Sequence, residues 1–225
     1  LYTGRLDPAD AFAAPLVSDR PDGLWPTVVC DELGVALGLA YSSAASLRAA
    51  VAERRGVYWS RSRGELWRKG ETSGAAQELM RVEADCDRDA LRFTVRQHGS
   101  GFCHRGTRSC WGADVGLGAL ERRLAARLRE APPGSYTARL GAEPALLAAK
   151  LAEEAAELAG ADGEDALAWE AADLLYFTLV RLAGAGLGLE AVARELDRRA
   201  LAVTRRDGSR SFGPPTAGPP SGAQP

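Results

Sequence analysis

The chain contains the stretch LMRVEADCDRDALRFTV at residues 79–95, in which two apolar-rich segments flank a short acidic one. Residues 79–83 and 90–95 have the composition of β-strands. Residues 85–89, which lie between them, carry three carboxylates and one thiol, so these groups lie at a strand-to-strand junction where side chains can converge. We predict an active centre here that combines hard carboxylate ligands with soft thiolate ligands.

The three aspartates of this stretch are Asp85, Asp87 and Asp89, and each is separated from the next by one residue. In an extended segment their side chains point to one side and that of Cys86 to the other. A carboxylate trio suits Mg²⁺, which keeps waters and phosphate oxygens among its ligands. An acid-rich turn without a metal ion is the alternative interpretation.

Two further cysteines, Cys103 and Cys110, follow downstream, and together with Cys86 they are candidate zinc ligands. Three thiolates and a water would form a hydrolytic zinc site. Their spacing is not that of a zinc finger, so they are equally interpreted as small buried hydrophobic residues. His104 is a candidate general base, an additional ligand or a structural hydrogen-bonding residue. Cys30 lies in a predicted strand, and we assign it no function.

A basic, glycine-rich region upstream has the residue types that bind a nucleotide. From Glu53 to Lys69 there are six Lys or Arg residues against two acids. Arg and Lys bind phosphate, Gly, Ser and Thr offer hydrogen-bond donors, and Trp stacks on a base. The candidate substrate-binding residues are Trp59, Ser60, Arg61, Ser62, Arg63, Trp67, Lys69, Gly70, Thr72, Ser73 and Gly74. An exposed basic hairpin without a ligand is the alternative.

The composition is that of a globular protein, with 46% hydrophobic and 26% charged residues. The net charge of −2 does not indicate a nucleic-acid partner. No apolar run approaches the roughly 18 residues of a membrane span, and no export signal is visible, so we expect a cytoplasmic protein with free or metal-bound cysteines. The first residue is not Met, and we expect the chain to be a fragment or a trimmed piece.

The chain divides into two predicted domains between an irregular lead-in at residues 1–20 and a disordered Pro/Gly-rich tail at residues 207–225. A β-rich α+β domain is predicted over residues 21–115, with strands at residues 25–30, 35–41, 57–59, 79–83 and 90–95. A helix follows Ser42 or Ser43 and reaches Val51. An all-α helical bundle is predicted over residues 116–206, with helices at residues 117–130, 143–159, 164–185 and 189–203.

The bundle carries acids at helical spacing on two consecutive predicted helices. These candidate Mg²⁺ ligands are Glu153, Glu154, Glu157, Glu170 and Asp173. Acids three or four residues apart lie side by side and repel each other unless they are solvated or share a cation. Two facing helices would therefore form an oxygen-rich Mg²⁺ site. A solvated acidic face is the alternative, and it suits Glu153 and Glu154 better than Asp173.

Four segments of the first domain, in this order, resemble phosphoribosyl-AMP cyclohydrolases of histidine biosynthesis. They lie at residues 59–63, 66–74, 85–91 and 103–110. The resemblance implies zinc bound by Cys86, Cys103 and Cys110, with the ligands supplied by two subunits of a dimer. It also implies Mg²⁺ bound by Asp85, Asp87 and Asp89.

This resemblance further implies the reaction. The substrate is an adenine nucleotide alkylated at N1, so C6 of its ring is electrophilic. A zinc-bound hydroxide adds at C6 and the N1–C6 bond opens, while His104 moves protons. The basic, glycine-rich region holds the phosphates.

Segments of the second domain resemble phosphoribosyl-ATP pyrophosphohydrolases, which are MazG-like all-α enzymes. The segments lie at residues 134–137, 150–157 and 170–176. The resemblance implies that the acids bind Mg²⁺, with Glu154 catalytic and Lys150 in contact with substrate. Water then attacks between the α and β phosphates and releases pyrophosphate. Members of that family often have His where this chain has Phe177.

The fusion supports a bifunctional hydrolase, because the second domain would make the substrate of the first. Segments at residues 20–24, 40–43, 101–104 and 203–206 resemble fungal multifunctional histidine-pathway proteins, which continue into a histidinol dehydrogenase domain. Two alternatives stay open. One is a house-cleaning nucleotide pyrophosphatase fused to a structural-zinc module, and the other is a zinc module whose acidic bundle only forms an oligomer.

Overall fold

The structure of the protein is a computed structural model that describes residues 7–201. The described residues fall into two compact units, one that ends at Glu190 and one that begins at Ala191. The β-rich half contains α1 (Pro8–Ala13), β1 (Trp25–Cys30), β2 (Ala36–Ser42), α2 (Ala44–Glu53), β3 (Val57–Ser60), β4 (Glu65–Arg68), β5 (Gln77–Ala84) and β6 (Leu91–Gln97). The helical half contains α3 (Gly116–Arg129), α4 (Tyr136–Ala142), α5 (Pro144–Gly160), α6 (Glu164–Gly184) and α7 (Leu189–Leu201).

The main sheet has four strands in the order β2-β1-β6-β5, and β3 pairs with β4 in a separate hairpin. Strand β6 is parallel to β1, with Phe93 opposite Val29, and antiparallel to β5. The alternation of each strand turns its apolar side chains to one face. There Val29, Phe93, Tyr58 and Leu47 are fully buried in one core. Helix α2 begins with a capping box, as the serines before it predict.

The helical half has a core of its own, formed by residues at helical spacing on α3 to α6. Its buried residues are Leu124, Leu140, Leu147, Phe177, Leu179 and Val180. The unit that begins at Ala191 is described only as far as Leu201, where Glu195 pairs with Arg198 and Arg199 at 2.7 Å each. The predicted β-rich and helical halves are therefore both present.

The predicted lead-in is wrong at residues 8–13, which form α1. Asp7 caps this helix by accepting a hydrogen bond from the Ala9 N–H at 2.8 Å, and Pro8 occupies its first turn. Strand β4 and helix α4 were not predicted from the sequence, whereas the other predicted strands and helices are confirmed to within a few residues. Residues 1–6 of the lead-in, the end predicted for the last helix and the tail at residues 207–225 lie outside the described residues.

None of the helices between residues 7 and 201 is by itself long and apolar enough to cross a membrane. Helices α6 and α7 meet that test of length and composition only when they are taken together across the break between them.

A matched pair of Leu→Ala substitutions tests the helical core. Leu140 is 0% exposed and Leu167 is 44% exposed. We expect Leu140→Ala to lower the free energy of unfolding by about 2–5 kcal/mol, because it leaves a cavity. The surface substitution Leu167→Ala should change it by about 0.5 kcal/mol or less. Urea unfolding followed by circular dichroism measures both, and equal losses would contradict the assignment of this core.

Candidate functional site

The acidic stretch between β5 and β6 is a tight bend. Arg88 has a positive φ of 68°, and the Asp85 carboxylate accepts hydrogen bonds from the N–H groups of Asp89 (3.0 Å) and Ala90 (3.1 Å). The extended geometry expected for this segment is therefore wrong. The bend nevertheless brings the aspartates together, because one carboxylate oxygen from each of Asp85, Asp87 and Asp89 lies within 4.8 Å of the others.

The three carboxylates of this bend have different electrostatic environments. The hydrogen bond from the Ala90 N–H lowers the pKa of Asp85. The charge of Asp87 raises the pKa of Asp89, and desolvation adds to that increase. Close, partly exposed carboxylates that repel each other are the donor set that a hard divalent cation such as Mg²⁺ fits.

The loop after β6 carries two of the candidate zinc ligands. The Cys103 N–H donates to the carbonyl of Thr107 at 3.1 Å, and the Cys110 N–H donates to the carbonyl of Leu37 at 2.8 Å, which ties the loop to β2. A hydrogen bond from the Arg105 backbone lowers the pKa of Cys103, whereas burial, followed by the neighbouring Cys103 thiol, raises the pKa of Cys110. Two adjacent thiols of this kind fit a soft cation such as Zn²⁺.

The third candidate ligand, Cys86, is exposed in the acidic bend before β6. In the described part of the chain, the sulfurs of Cys86, Cys103 and Cys110 do not form a group in which all atoms lie within 4.8 Å. His104 is exposed, and its Nδ1 is 4.0 Å from the Cys103 sulfur. One copy of the chain therefore brings together two of the three thiols, with an imidazole next to them.

The basic turn between β3 and β4 is exposed, as the residue types predict. The Arg61 guanidinium lies 3.9 Å from the centre of the Tyr41 ring, and Arg63 donates to the Ser60 hydroxyl at 3.2 Å. The Ser62 hydroxyl is 3.5 Å from that of Ser60. These side chains are available to a phosphate, and Trp59 at the end of β3 is half-buried.

Two candidates of the same region point into the protein instead. Trp67 packs edge-on against Phe102, with ring centres 6.5 Å apart, and it also contacts Tyr58. Lys69 is buried, and its ammonium donates to backbone carbonyls. The structure therefore does not place Lys69 on the exposed basic turn with Arg61.

The glycine-rich turn that follows is held by backbone contacts. A Cβ on Gly70, whose φ is 85°, would lie 2.2 Å from the Ala76 nitrogen, so only glycine fits there. Thr72, Ser73 and Gly74 are exposed, and the Ser73 hydroxyl accepts from the Ala75 N–H at 3.3 Å.

One buried carboxylate near the cysteine loop was not among the candidate residues predicted from the sequence. Asp31 is 2% exposed, and its carboxylate is 3.1 Å from the guanidinium of Arg108 and 3.8 Å from that of Arg122. Arg108 belongs to the cysteine loop and Arg122 to α3. The signal available in the sequence was an acid directly after an apolar strand.

The helical half forms a second acid cluster. Carboxylate oxygens of Glu154 on α5 and of Glu170 and Asp173 on α6 lie within 4.8 Å of one another. Glu154 is only 4% exposed, which contradicts its interpretation as part of a solvated face. The Lys150 ammonium is 2.9 Å from Glu154 and 2.7 Å from the exposed Glu153. One amine therefore offsets part of the charge of a site that fits Mg²⁺.

Glu157 lies outside this trio, but the charges of the trio affect its pKa. Desolvation raises the pKa of Glu157, and the carboxylates of Glu154 and Glu170 raise it further. The Thr137 and Tyr176 hydroxyls are 2.8 Å apart, which joins α4 to the helix that carries two of the acids.

Comparisons with known proteins match the two halves separately. Residues 38–112 match the family model for phosphoribosyl-AMP cyclohydrolase, and residues 117–200 match the one for phosphoribosyl-ATP pyrophosphohydrolase. The chain is 42% identical over 208 residues to the histidine biosynthesis bifunctional protein HisIE of Synechocystis sp., covering 84% of this chain and 96% of that protein.

Fungal relatives are longer than this chain. It is 48% identical over 204 residues to the histidine biosynthesis bifunctional protein his7 of Schizosaccharomyces pombe, covering 91% of this chain and 49% of that protein. It is 50% identical over 200 residues to the histidine biosynthesis trifunctional protein of Komagataella pastoris, covering 89% of this chain and 24% of that protein. The chain thus spans about half or less of these two relatives.

Metal-dependent stability tests the helical acid cluster. We expect Asp173→Asn to leave the metal-free protein at least as stable as the wild type, because the substitution removes one of three repelling charges. In Mg²⁺ at about 100 times its Kd, a bound site contributes about 2.7 kcal/mol of stability, and the variant should lose that contribution. Thermal unfolding with and without Mg²⁺ measures the difference.

The matched control is Asp165→Asn, which changes an exposed acid in the first turn of the same helix. It should keep the full response to Mg²⁺. An equal response in both variants would show that Asp173 does not contribute to a cation site.

Proposed function

Because the chain belongs to the histidine-biosynthesis family that joins a phosphoribosyl-AMP cyclohydrolase domain to a phosphoribosyl-ATP pyrophosphohydrolase domain, we propose that it is a bifunctional hydrolase that catalyses both reactions. The helical half releases pyrophosphate from phosphoribosyl-ATP. The β-rich half then opens the adenine ring of the resulting phosphoribosyl-AMP.

The observation that carries this proposal is that each half contains its own carboxylate cluster. Asp85, Asp87 and Asp89 lie in the cyclohydrolase range, and Glu154, Glu170 and Asp173 lie in the pyrophosphohydrolase range. Both substrates carry phosphates, whose charge must be offset by cations for binding and attack. Two clusters, each suited to a hard cation, therefore support two separate reactions on phosphorylated nucleotides.

In the helical half, Mg²⁺ held by the acid trio would neutralise phosphate charge and help to activate water. Lys150 holds Glu154 in place through their 2.9 Å ion pair and lies 5.4 Å from the centre of the Phe177 ring. This packing orients the buried carboxylate towards α6, where it can accept a proton.

In the β-rich half, Zn²⁺ held by Cys86, Cys103 and Cys110 would lower the pKa of a bound water for addition at C6 of the adenine ring. His104, which is exposed beside Cys103, would move a proton to or from the ring. Arg61 and Arg63 on the basic turn bind the phosphates, as their exposure allows.

We further propose that the zinc site is completed by a second copy of the chain. Cys86 precedes β6, whereas Cys103 and Cys110 follow it, and the described chain does not gather the three sulfurs into one group. A partner subunit that supplies Cys86 would complete the set of ligands.

Selective loss of one reaction tests the assignment of the two halves. We expect Cys103→Ser to lower ring opening by about 100-fold or more and to leave pyrophosphate release intact, because it removes a zinc ligand only. Glu154→Gln combined with Asp173→Asn should do the reverse. Pyrophosphate release is measured with phosphoribosyl-ATP and Mg²⁺. Ring opening is measured in a separate assay with phosphoribosyl-AMP supplied directly, in Zn²⁺ and Mg²⁺, because a variant that cannot release pyrophosphate makes no substrate for it.

The control for thiol loss is Cys30→Ala, which removes a buried cysteine of β1 and should keep both activities. Loss of both activities from either site variant, in protein that remains folded by circular dichroism, would refute the two-site assignment.

Mixing of inactive variants tests the shared zinc site. Cys86→Ser and Cys103→Ser proteins should each be inactive in ring opening, and subunit exchange between them should restore activity. A mixed dimer then contains one site with both substitutions and one site with neither. If all ligands came from one chain, every site in the mixture would lack a ligand and no activity would return.

A further inference from the structure

Lys69 is a buried cation that has no acidic partner among the residues that the structure describes. This residue directly follows β4 in the sequence, and it is 6% exposed. Its ammonium donates to the carbonyl of Ala75 at 3.2 Å and to that of Gly101 at 3.3 Å. Within residues 7–201, no carboxylate lies within 4.0 Å of it. The two carbonyls satisfy two of its three N–H donors but supply no negative charge.

A buried charge is unfavourable unless an opposite charge lies nearby. The groups that can supply one are the thiols of the cysteine loop. The Lys69 ammonium lies 5.8 Å from the centre of the ring of Phe102, the residue directly before Cys103 in that loop. Burial lowers the pKa of Lys69, and the charges of Cys110 and Cys103 act in the opposite direction. Gly101, which accepts a hydrogen bond from Lys69, is two residues before Cys103 in the same loop.

The charge balance of the proposed zinc site points to the same residue. Three thiolates and one Zn²⁺ together carry one net negative charge, and a single ammonium neutralises it. Among the candidate substrate-binding residues, Lys69 is the buried cation whose ammonium reaches the cysteine loop, whereas Arg61 and Arg63 remain exposed on the basic turn.

We propose that Lys69 is a positioning residue of the thiolate site, whose buried ammonium balances the charge that Cys103 and Cys110 acquire when they bind a cation such as Zn²⁺. It therefore acts through the metal ligands and does not bind a substrate phosphate. This inference rests on the proposed role of the cysteines as zinc ligands.

A purely structural role is the competing explanation, in which Lys69 only ties the glycine-rich turn to the cysteine loop through its two carbonyl bonds. That role stabilises the protein equally with and without metal. A charge partner has a different effect, because an unpaired ammonium is unfavourable in the metal-free protein and favourable once thiolates are present.

The test compares the full chain with Lys69→Met, which keeps the length of the side chain and removes its charge. Zinc affinity is measured by competition with a chromogenic chelator, and thermal unfolding is recorded for the metal-free and zinc-loaded proteins. We expect zinc affinity to fall by about tenfold or more and the zinc-dependent rise in Tm to shrink. The Tm of the metal-free variant should equal or exceed that of the metal-free wild type.

Two further variants separate charge from shape and position. Lys69→Arg keeps the charge and should retain more zinc affinity than Lys69→Met or the neutral, hydrogen-bonding Lys69→Gln. Arg105→Met removes an exposed cation from the cysteine loop and should weaken zinc binding less, because solvent screens an exposed charge. If Lys69→Met does not fold, the zinc affinities of Lys69→Gln and Lys69→Arg are compared instead.

If Lys69→Met left zinc affinity unchanged and lowered the Tm of the metal-free and zinc-loaded proteins equally, the inference would be overturned. Lys69 would then only tie the glycine-rich turn to the cysteine loop. That outcome leaves the proposed zinc site standing, because the wild type still binds zinc. A wild type that binds no zinc would overturn both the inference and the proposed role of the cysteines.

Discussion

The parallel pairing of β1 with β6 is the constraint on which the β-rich half depends. Strands paired in parallel end at the same edge of a sheet, so Asp31, directly after β1, lies beside the cysteine loop that follows β6. Its buried carboxylate then contacts Arg108 in that loop and Arg122 on α3. One acid therefore connects the sheet, a loop with two candidate metal ligands and the first helix of the second half.

The candidate sites share an imbalance of charge that a bound ion would correct. The acidic bend and the trio around Glu154 hold like charges close together, which destabilises them in the absence of a cation. Lys69 is the reverse case, a buried cation that needs anions. Such imbalances are concentrated at functional sites, because residues selected for binding an ion are not those that stabilise the empty protein best.

The elements that the sequence predicted are those with long or strongly patterned signals. Strand β1 and the long helix α6 were found with correct starts at Trp25 and Glu164, because apolar periodicity is a local property. Helix α1 has only six residues, and its signal was the cap formed by Asp7. Strand β4 has as many polar as apolar residues, so its sequence carries no clear strand pattern. It forms a strand because it pairs with β3, where Trp67 lies opposite Tyr58.

The sequence by itself determined the kinds of ligand at each site, because side-chain chemistry and helical spacing are local. The acids Glu170 and Asp173 share one edge of a helix wherever that helix packs. Only the tertiary structure decided that Glu154 rather than its neighbour Glu153 faces them, and that Lys69 turns inward to the cysteine loop. Both outcomes depend on which surface covers a side chain, and residues distant in the sequence supply that surface.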